Sequence, residues 1–267
     1  NTILKYDNNY DKEEYSLKIK EDLIEIKASD YSGILYAFES LHQLILISEN
    51  ENNKLPIISI EDSPRFKYRG FLLDASRNFY GINKVKQVID YMAHFKLNKL
   101  DFRLTDDEGW RLEIPGLPEL TEIGSKRGFT KDESDKLIPM YGSGAFSDNS
   151  GSGYYTREEF VEILKYAKRR NIDVFPQISF PSHARAAIKS MEVRHKNYML
   201  KNDEISANKY LLNDLKDESK YRSAQQYDDN IICICQESAY TFFEKIVQEV
   251  KKTVSYTHLT LPTNREV

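Results

Sequence analysis

The 267-residue chain is expected to fold as α/β, with a small N-terminal α/β unit followed by the first part of a (β/α)8 barrel. Three observations predict this. From Phe66 onward, strand-like and helix-like segments alternate, which argues for a parallel sheet. Arg77, Asp106 and His183 each follow a successive strand-like run, as residues on the C-terminal rim of a barrel do. No Gly-rich phosphate loop follows the first of those strands, which disfavours a nucleotide-binding fold. An open doubly wound sheet fits the alternation as well; the placement of the polar residues follows the barrel's rule. Three strand–helix units are visible where a complete barrel has about eight, so the barrel is expected to be truncated.

The elements follow in order. Tyr15–Lys20 and Leu23–Lys27 alternate apolar and polar residues, the period of paired strands. Ser32 opens a helix on which Ile34, Phe38, Leu41 and Ile45 recur at helical spacing, giving one buried stripe. Ile57–Ile60 is a short strand, and Glu61-Asp62-Ser63-Pro64 marks a boundary. Gly70–Asp74 is the first barrel strand, and Arg77 sits in its loop. Lys84–Lys96 is amphipathic, with Val85, Val88, Ile89, Met92 and Phe95 on one face. Leu97–Leu104 is the second strand. A long loop containing Gly142-Ser143-Gly144 and Ser150-Gly151-Ser152-Gly153 follows, and loops of that length are usually functional or mobile. Thr156 with Glu159 forms a capping box for a helix that runs to about Arg170, with Phe160, Ile163, Leu164 and Ala167 inward. Ile172–Ile178 is the third strand and leads into Ser179-Phe180-Pro181-Ser182-His183. Beyond a polar stretch, Ser238–Lys252 is helical, with Phe242, Phe243, Ile246 and Val250 on one side. The expected division is 1–62, 63–253 and a non-native tail, 254–267, which lacks a helical period. His258 therefore receives no role.

Composition narrows the function classes. Hydrophobic residues make up 40% and charged residues 30% of the chain, as in ordinary globular domains. The net charge of −4 comes from 42 acids against 38 bases, with no basic block, which argues against nucleic-acid binding. No apolar run approaches a membrane span. The two cysteines, Cys233 and Cys235, lie in an apolar run (IICIC) that reads as buried strand-like packing, because neighbouring metal ligands are missing.

Three places could carry chemistry. Arg77 can fork two hydrogen bonds to vicinal hydroxyls, or bridge Asp74 at the surface. Asp106 and Asp107 can serve as acid and base, as ligands, or as anchors for a histidine. Neighbours on an extended segment point to opposite sides, so one is expected to face the site and the other to cap the turn or pair with Arg111. His183 can be a general base, a ligand, a group that orients another, or simply a structural hydrogen-bonding residue. A metal held by Asp106 and His183 lacks a recognised ligand spacing. Trp110 could stack on a sugar ring; as the middle of Gly109-Trp110-Arg111 it reads as a wedge for the loop.

Four segments carry a resemblance across roughly residues 14–252. They are SPRFKYRGFLLDASRNFY, LTDDEGWRLEIPGLPELTEIG, GSGYYTREEFVEILKYAKRRNIDV and FPQISFPSHARAAIKSM. The first, second and fourth are similar to the first three barrel-strand motifs of family-20 glycoside hydrolases, the β-N-acetylhexosaminidases, and the third matches the family's wording between them. The resemblance implies removal of terminal non-reducing N-acetylglucosamine or N-acetylgalactosamine from β-linked glycans, including chitin-like ones. It implies a retaining, substrate-assisted mechanism, no cofactor or metal, and a periplasmic or secreted location. Arg77 maps to the family's substrate-gripping arginine, and Asp106 and His183 map to supporting residues.

The departures bear on the same pocket. Where the family reads His-x-His, this chain has Asp101 and Arg103. Where it reads Pro-Glu-Ile-Asp and then Pro-Gly-His, the places are Gln177, Ser179 and Ser182; an acid at Ser179 would have partnered His183. The family's catalytic Asp-Glu pair, in His-x-Gly-Gly-Asp-Glu, is not present in these residues. The chain itself is therefore expected to be inactive and, with open sheet edges, poorly soluble. Two rivals stand beside this reading: a non-catalytic carbohydrate-binding relative, and a metal-dependent hydrolase.

Overall fold

The computed structural model describes residues 1–49, 54–141 and 143–258. The chain divides into two compact units, one of residues 1–71, 87–100 and 167–173, the other of 72–86, 101–166 and 174–267. No helix among the described residues is long and apolar enough to cross a membrane.

The first unit is built on a four-stranded sheet of β1 (Thr2–Tyr6), β2 (Tyr15–Ile19), β3 (Ile24–Ala28) and β4 (Ile58–Asp62), in the order β1-β3-β2-β4. β1 runs parallel to β3, and β2 is antiparallel to both β3 and β4. Helix α1 (Tyr31–Ser48) packs on β2 and β3. Its cap is Asp30, whose carboxylate accepts the amide of Gly33 at 2.8 Å, rather than Ser32. Gly33 is required: a Cβ there would lie 2.4 Å from the carbonyl oxygen of Glu14 and 2.8 Å from Cβ of Ala28. Tyr15, Leu17, Ile19, Ile26 and Ala28 meet Ile34, Tyr36, Ala37 and Leu41 to form the core. Each fully buried aliphatic side chain in it contributes about 1.5–3 kcal/mol.

Two readings need correction here. Phe38 and Ile45 are not on the buried stripe of α1; they are exposed, and Gly33, Tyr36 and Ala37 face the sheet instead. The helical period was right and its phase was wrong, because small residues let the helix approach the sheet. β1 gave no signal, since all five of its residues are exposed.

The second group of strands is β5 (Gly70–Asp74), β6 (Lys99–Arg103) and β9 (Asp173–Gln177), side by side in that order. Their ladders advance together: Asn98 bonds to Arg69 and Ala75 to Arg103, then Asp173 to Asn98 and Leu104 to Gln177. The three strands are therefore parallel. Helix α2 (Ile82–His94) connects β5 to β6, and Phe95 just beyond it is exposed rather than inward. Between β6 and β9 come β7 (Thr105–Asp106), β8 (Gly109–Trp110), the short α3 (Glu119–Glu122) and α4 (Arg157–Lys168).

The Thr156–Glu159 capping box is present, with reciprocal bonds of 2.9 and 3.1 Å at the start of α4. Phe160, Ile163 and Leu164 are buried, and Phe160 and Tyr155 flank Phe102 of β6. After β9 come α5 (Arg185–Met199), α6 (Glu204–Asn208) and α7 (Glu237–His258). The first two lie in the stretch read only as polar. α5 buries Ala186, Ala187, Ile188, Met191 and Val193 among many charges, which dilutes its period.

α7 continues through His258, so 254–258 are helical, contrary to the expectation for the tail; residues 259–267 lie outside the described residues. Cys233 and Cys235 are not in a buried strand. They sit in a loop ahead of α7, both with free thiols, Cys233 half-buried and Cys235 exposed. Trp110 is a wedge: it is buried, donates its indole N–H to the Leu112 carbonyl at 2.6 Å, and meets Phe242 of α7 edge to face at 6.0 Å.

Candidate functional site

The site begins where β5 ends. The Asp74 carboxylate accepts the amides of Ser76 and Arg77, both at 3.1 Å, and this local turn aims the Arg77 side chain back over the strand end. The guanidinium then meets three acids. It donates to Asp74 at 2.8 Å and to Glu108 at 3.1 Å, and lies 3.1 Å from Asp106. The salt bridge to Asp74 is thus one arm of a larger cluster. These contacts engage three of the five N–H donors that an arginine carries.

The acids come from a tight hairpin. β7 and β8 pair Thr105 with Trp110 and Asp106 with Gly109, leaving Asp107 and Glu108 as the two-residue turn. Gly109 is obligatory, because a Cβ would sit 2.3 Å from the Arg111 guanidinium. This turn overturns the expectation that Asp106 and Asp107 face opposite sides. Alternation holds along a strand, and the chain reverses at Asp107. Both carboxylates consequently reach His183, whose Nδ1 lies 3.2 Å from Asp106 and 3.2 Å from Asp107.

Nor does Arg111 pair with either of them. It is fully buried and donates to the carbonyls of Ala75, Ser76, Ser125, Gly151 and Gly153 at 2.7–3.0 Å. Arg127, equally buried, donates to the carbonyls of Arg77, Met140 and Gly151. Together they fix the long loop and the turn that carries Arg77.

His183 stands in the turn after β9 with φ of 55°, a left-handed conformation that costs most side chains energy and that histidine adopts more readily than most. Asp107 is held from two further directions by chain that folds back: Asn230 donates to it at 2.9 Å and the Arg185 amide at 3.2 Å. Arg185 itself is anchored by Asp229 and by Glu133. Arg103, at the end of β6, pairs with Asp106. Ser179 turns away from His183 and bonds Thr105 in both directions at 2.8 Å, so the histidine's partners are Asp106 and Asp107 and not a group at position 179.

The structure therefore brings Arg77, Asp106 and His183 together. It adds Glu108, Arg103, Asp107 and Asn230, of which Glu108 and Asn230 were missed. Glu108 was hidden in what reads as a solvated turn. Asn230 lies in an aperiodic polar stretch that gives no local signal.

The electrostatics follow from burial. The side chains of Asp106, Asp107 and Glu108 are sealed from water, while Arg77 and His183 keep 25% and 36% of their side-chain surface. Burial pushes the Asp106 carboxyl above its ordinary value, against the pull of the Asp107 amide, Arg77 and Arg103. Burial, with the charge of Asp106 and Asp107 behind it, pushes Glu108 up to about 7 despite Arg77. Burial would lower Arg77, but Asp74, Asp106 and Glu108 outweigh it and hold the guanidinium charged.

Sealed acids beneath two partly open groups offer donors that suit hydroxyls, and Glu108 offers a carboxyl that titrates near neutrality. Asp106, Asp107 and His183 also bring three possible metal donors within 4.8 Å of one another. Two guanidiniums already neutralise Asp106, so a divalent cation placed there would meet them at close range.

Two family descriptions match the chain: "Glycosyl hydrolase family 20, catalytic domain" over residues 66–261, and "Glycosyl hydrolase family 20, domain 2" over residues 2–63. Among similar proteins, an N,N'-diacetylchitobiase of Vibrio harveyi is 48% identical over 88% of this chain and 27% of its own length. A β-hexosaminidase of Vibrio vulnificus is 43% identical over 94% of this chain and 29% of its own length. The chain thus spans under a third of the length of these two curated relatives. The crystal structure of a GH20 exo-β-N-acetylglucosaminidase from Vibrio harveyi in complex with N-acetylglucosamine matches with a TM-score of 0.81 and 37% identity, covering 94% of this chain and 36% of that one.

Proposed function

We propose, since this chain belongs to glycosyl hydrolase family 20, that its Arg77–Asp106–His183 cluster is the part of a β-N-acetylhexosaminidase pocket that grips the terminal sugar and tunes the proton donor. One observation carries the reading. Three residues borne by turns after three successive parallel strands converge on one cluster, although 29 and 77 positions separate them in sequence. A structural salt bridge needs no such gathering.

In this reading the substrate is a glycan ending in N-acetylglucosamine or N-acetylgalactosamine. Hydrolysis is retaining and substrate-assisted: the sugar's own acetamido oxygen attacks the anomeric carbon, so the protein supplies no nucleophile. The two N–H donors of Arg77 left over from Asp74, Asp106 and Glu108 hold vicinal hydroxyls of the non-reducing sugar. Asp106 and His183 stand behind a general-acid Glu and tune its proton affinity. That Glu and its neighbouring orienting Asp belong to a His-x-Gly-Gly-Asp-Glu motif that the 267 residues do not contain. The 267-residue chain alone is proposed to bind sugar and not to cleave it. A periplasmic or secreted location is part of the same proposal, and cell fractionation checks it.

The test has two arms. Titration of the 267-residue chain with N-acetylglucosamine is expected to give binding that Arg77→Met weakens at least tenfold. Equal binding by both proteins overturns the role of Arg77. Robust release of nitrophenol from an aryl N-acetylglucosaminide by the same chain overturns its inactivity. The polypeptide specified by the uninterrupted coding sequence separates hydrolase from sugar-binding relative: turnover supports the first, and sugar binding without turnover supports the second.

A further inference from the structure

We propose that Glu39, His42 and His94 form a site for a divalent transition-metal ion of the zinc class, in the first unit and apart from the sugar-binding cluster. Glu39 and His42 stand three residues apart on α1 and so share one face of the helix. His94 is the last residue of α2. Its carbonyl accepts the Gln43 side-chain amide at 2.8 Å, which fixes the end of α2 beside that face. One donor atom from each of the three residues lies within 4.8 Å of the other two.

The spacing points to an ion rather than to direct pairing. The Glu39 carboxylate is 3.7 Å from Nδ1 of His94 and 4.0 Å from Nδ1 of His42. These are too long for hydrogen bonds. They approach the edge of a coordination tetrahedron, roughly 3.3 Å for bonds near 2.0–2.1 Å. No lysine or arginine among the described residues pairs with Glu39; the basic groups within 4.0 Å of its carboxylate are these two imidazoles. The two rings meet edge to face at 5.8 Å, and the Phe95 ring backs His94 at 5.1 Å, which limits its rotation.

His42 keeps 57% of its side-chain surface, and Glu39 and His94 keep 27% and 28%, so an ion has an open approach and room for water as a further ligand. Two imidazoles and one carboxylate suit zinc, nickel or copper better than calcium or magnesium. A bound ion would tie α1 to the end of α2. The contrast with Asp106, Asp107 and His183 is one of charge: there two guanidiniums hold the place, and here no lysine or arginine among the described residues pairs with the carboxylate.

The test is calorimetric titration of the untagged 267-residue protein with zinc chloride. One equivalent is expected to bind in the micromolar range. His42→Ala and His94→Ala should each weaken it at least tenfold, and His42 is exposed enough that its removal leaves the fold intact. His183→Ala and the Cys233→Ser/Cys235→Ser double variant should keep it. Zinc should also raise the melting temperature of the parent protein and not of His94→Ala. The proposal is overturned by the lack of saturable binding in this range, by binding that survives both histidine variants, or by binding that disappears with the cysteines or His183.

Discussion

Two polar clusters in this protein look alike in composition and differ in how completely their atoms are satisfied. In the first unit, Arg69 donates to Glu13 at 3.2 Å, to the Tyr36 hydroxyl at 2.8 Å and to the Lys96 carbonyl at 2.7 Å. Asn171 adds bonds to Glu13 and Tyr36 at 3.2 and 3.0 Å, and Asn98 bonds the Lys67 carbonyl at 2.9 Å. Among the described residues, no buried side-chain atom of this unit lacks a hydrogen-bond partner. In the candidate site, Arg103 Nε, Glu108 Oε1 and Asn230 Oδ1 lack one, and Asp106 Oδ2 is held only by its ion pairs to Arg77 and Arg103. Closed networks rigidify a fold, whereas unfilled hydrogen-bonding capacity at buried charges costs stability and persists where a ligand or a proton uses it. The two clusters thus differ in satisfaction, although buried unpartnered atoms also occur outside the candidate site, at Gln177, Arg194, His195 and Asn213.

Breaking the closed cluster should show the largest effect. Arg69→Met leaves Glu13 buried with an unpaired charge and is expected to cost about 3–5 kcal/mol in urea unfolding. A loss under about 1 kcal/mol would place this cluster with exposed, weakly contributing pairs.

The open cluster should respond with the opposite sign. Glu108 rises from 4.5 to about 7 in the folded chain, so the folded state holds a proton that the unfolded state has released across that interval. Stability should therefore fall as pH climbs from 4.5 to 7, by up to about 3 kcal/mol, and stay low above it. Glu108→Gln should remove that slope and stabilise the protein at pH 8, while changing little at pH 4. Melting curves at the two pH values in both proteins check this; an unchanged slope in the variant would show that another group carries it.

The smallest effect calibrates the rest. Thr156→Ala opens the capping box of α4, and should cost about 1 kcal/mol at either pH.

Much of this was legible in the sequence, for local reasons. β2 and β3 announce themselves by alternation, β5 by a short apolar run, and α4 by its box and its apolar face. The gathering of Arg77, Asp106 and His183 could be anticipated because parallel strands bring their C-terminal ends to one side. What escaped was set by tertiary approach. Phe38 and Ile45 have the period of a core face, yet Gly33 and Ala37 decide which side of α1 meets the sheet. Asp107 joins His183 because a two-residue turn reverses the chain there, and strand periodicity says nothing about a turn. Asn230 reaches Asp107 across 123 positions, a distance no local pattern spans.

Arg111 and Arg127 grip only main-chain oxygens. Oxygens of that kind are supplied by every amino acid, so the identity of the side chains along the loop is largely irrelevant to its anchoring. Side chains on the loop can therefore change without loosening its anchoring, while the inner scaffold stays fixed. Lysine could not take over either post, since one ammonium lacks the planar fork needed to reach several carbonyls at once.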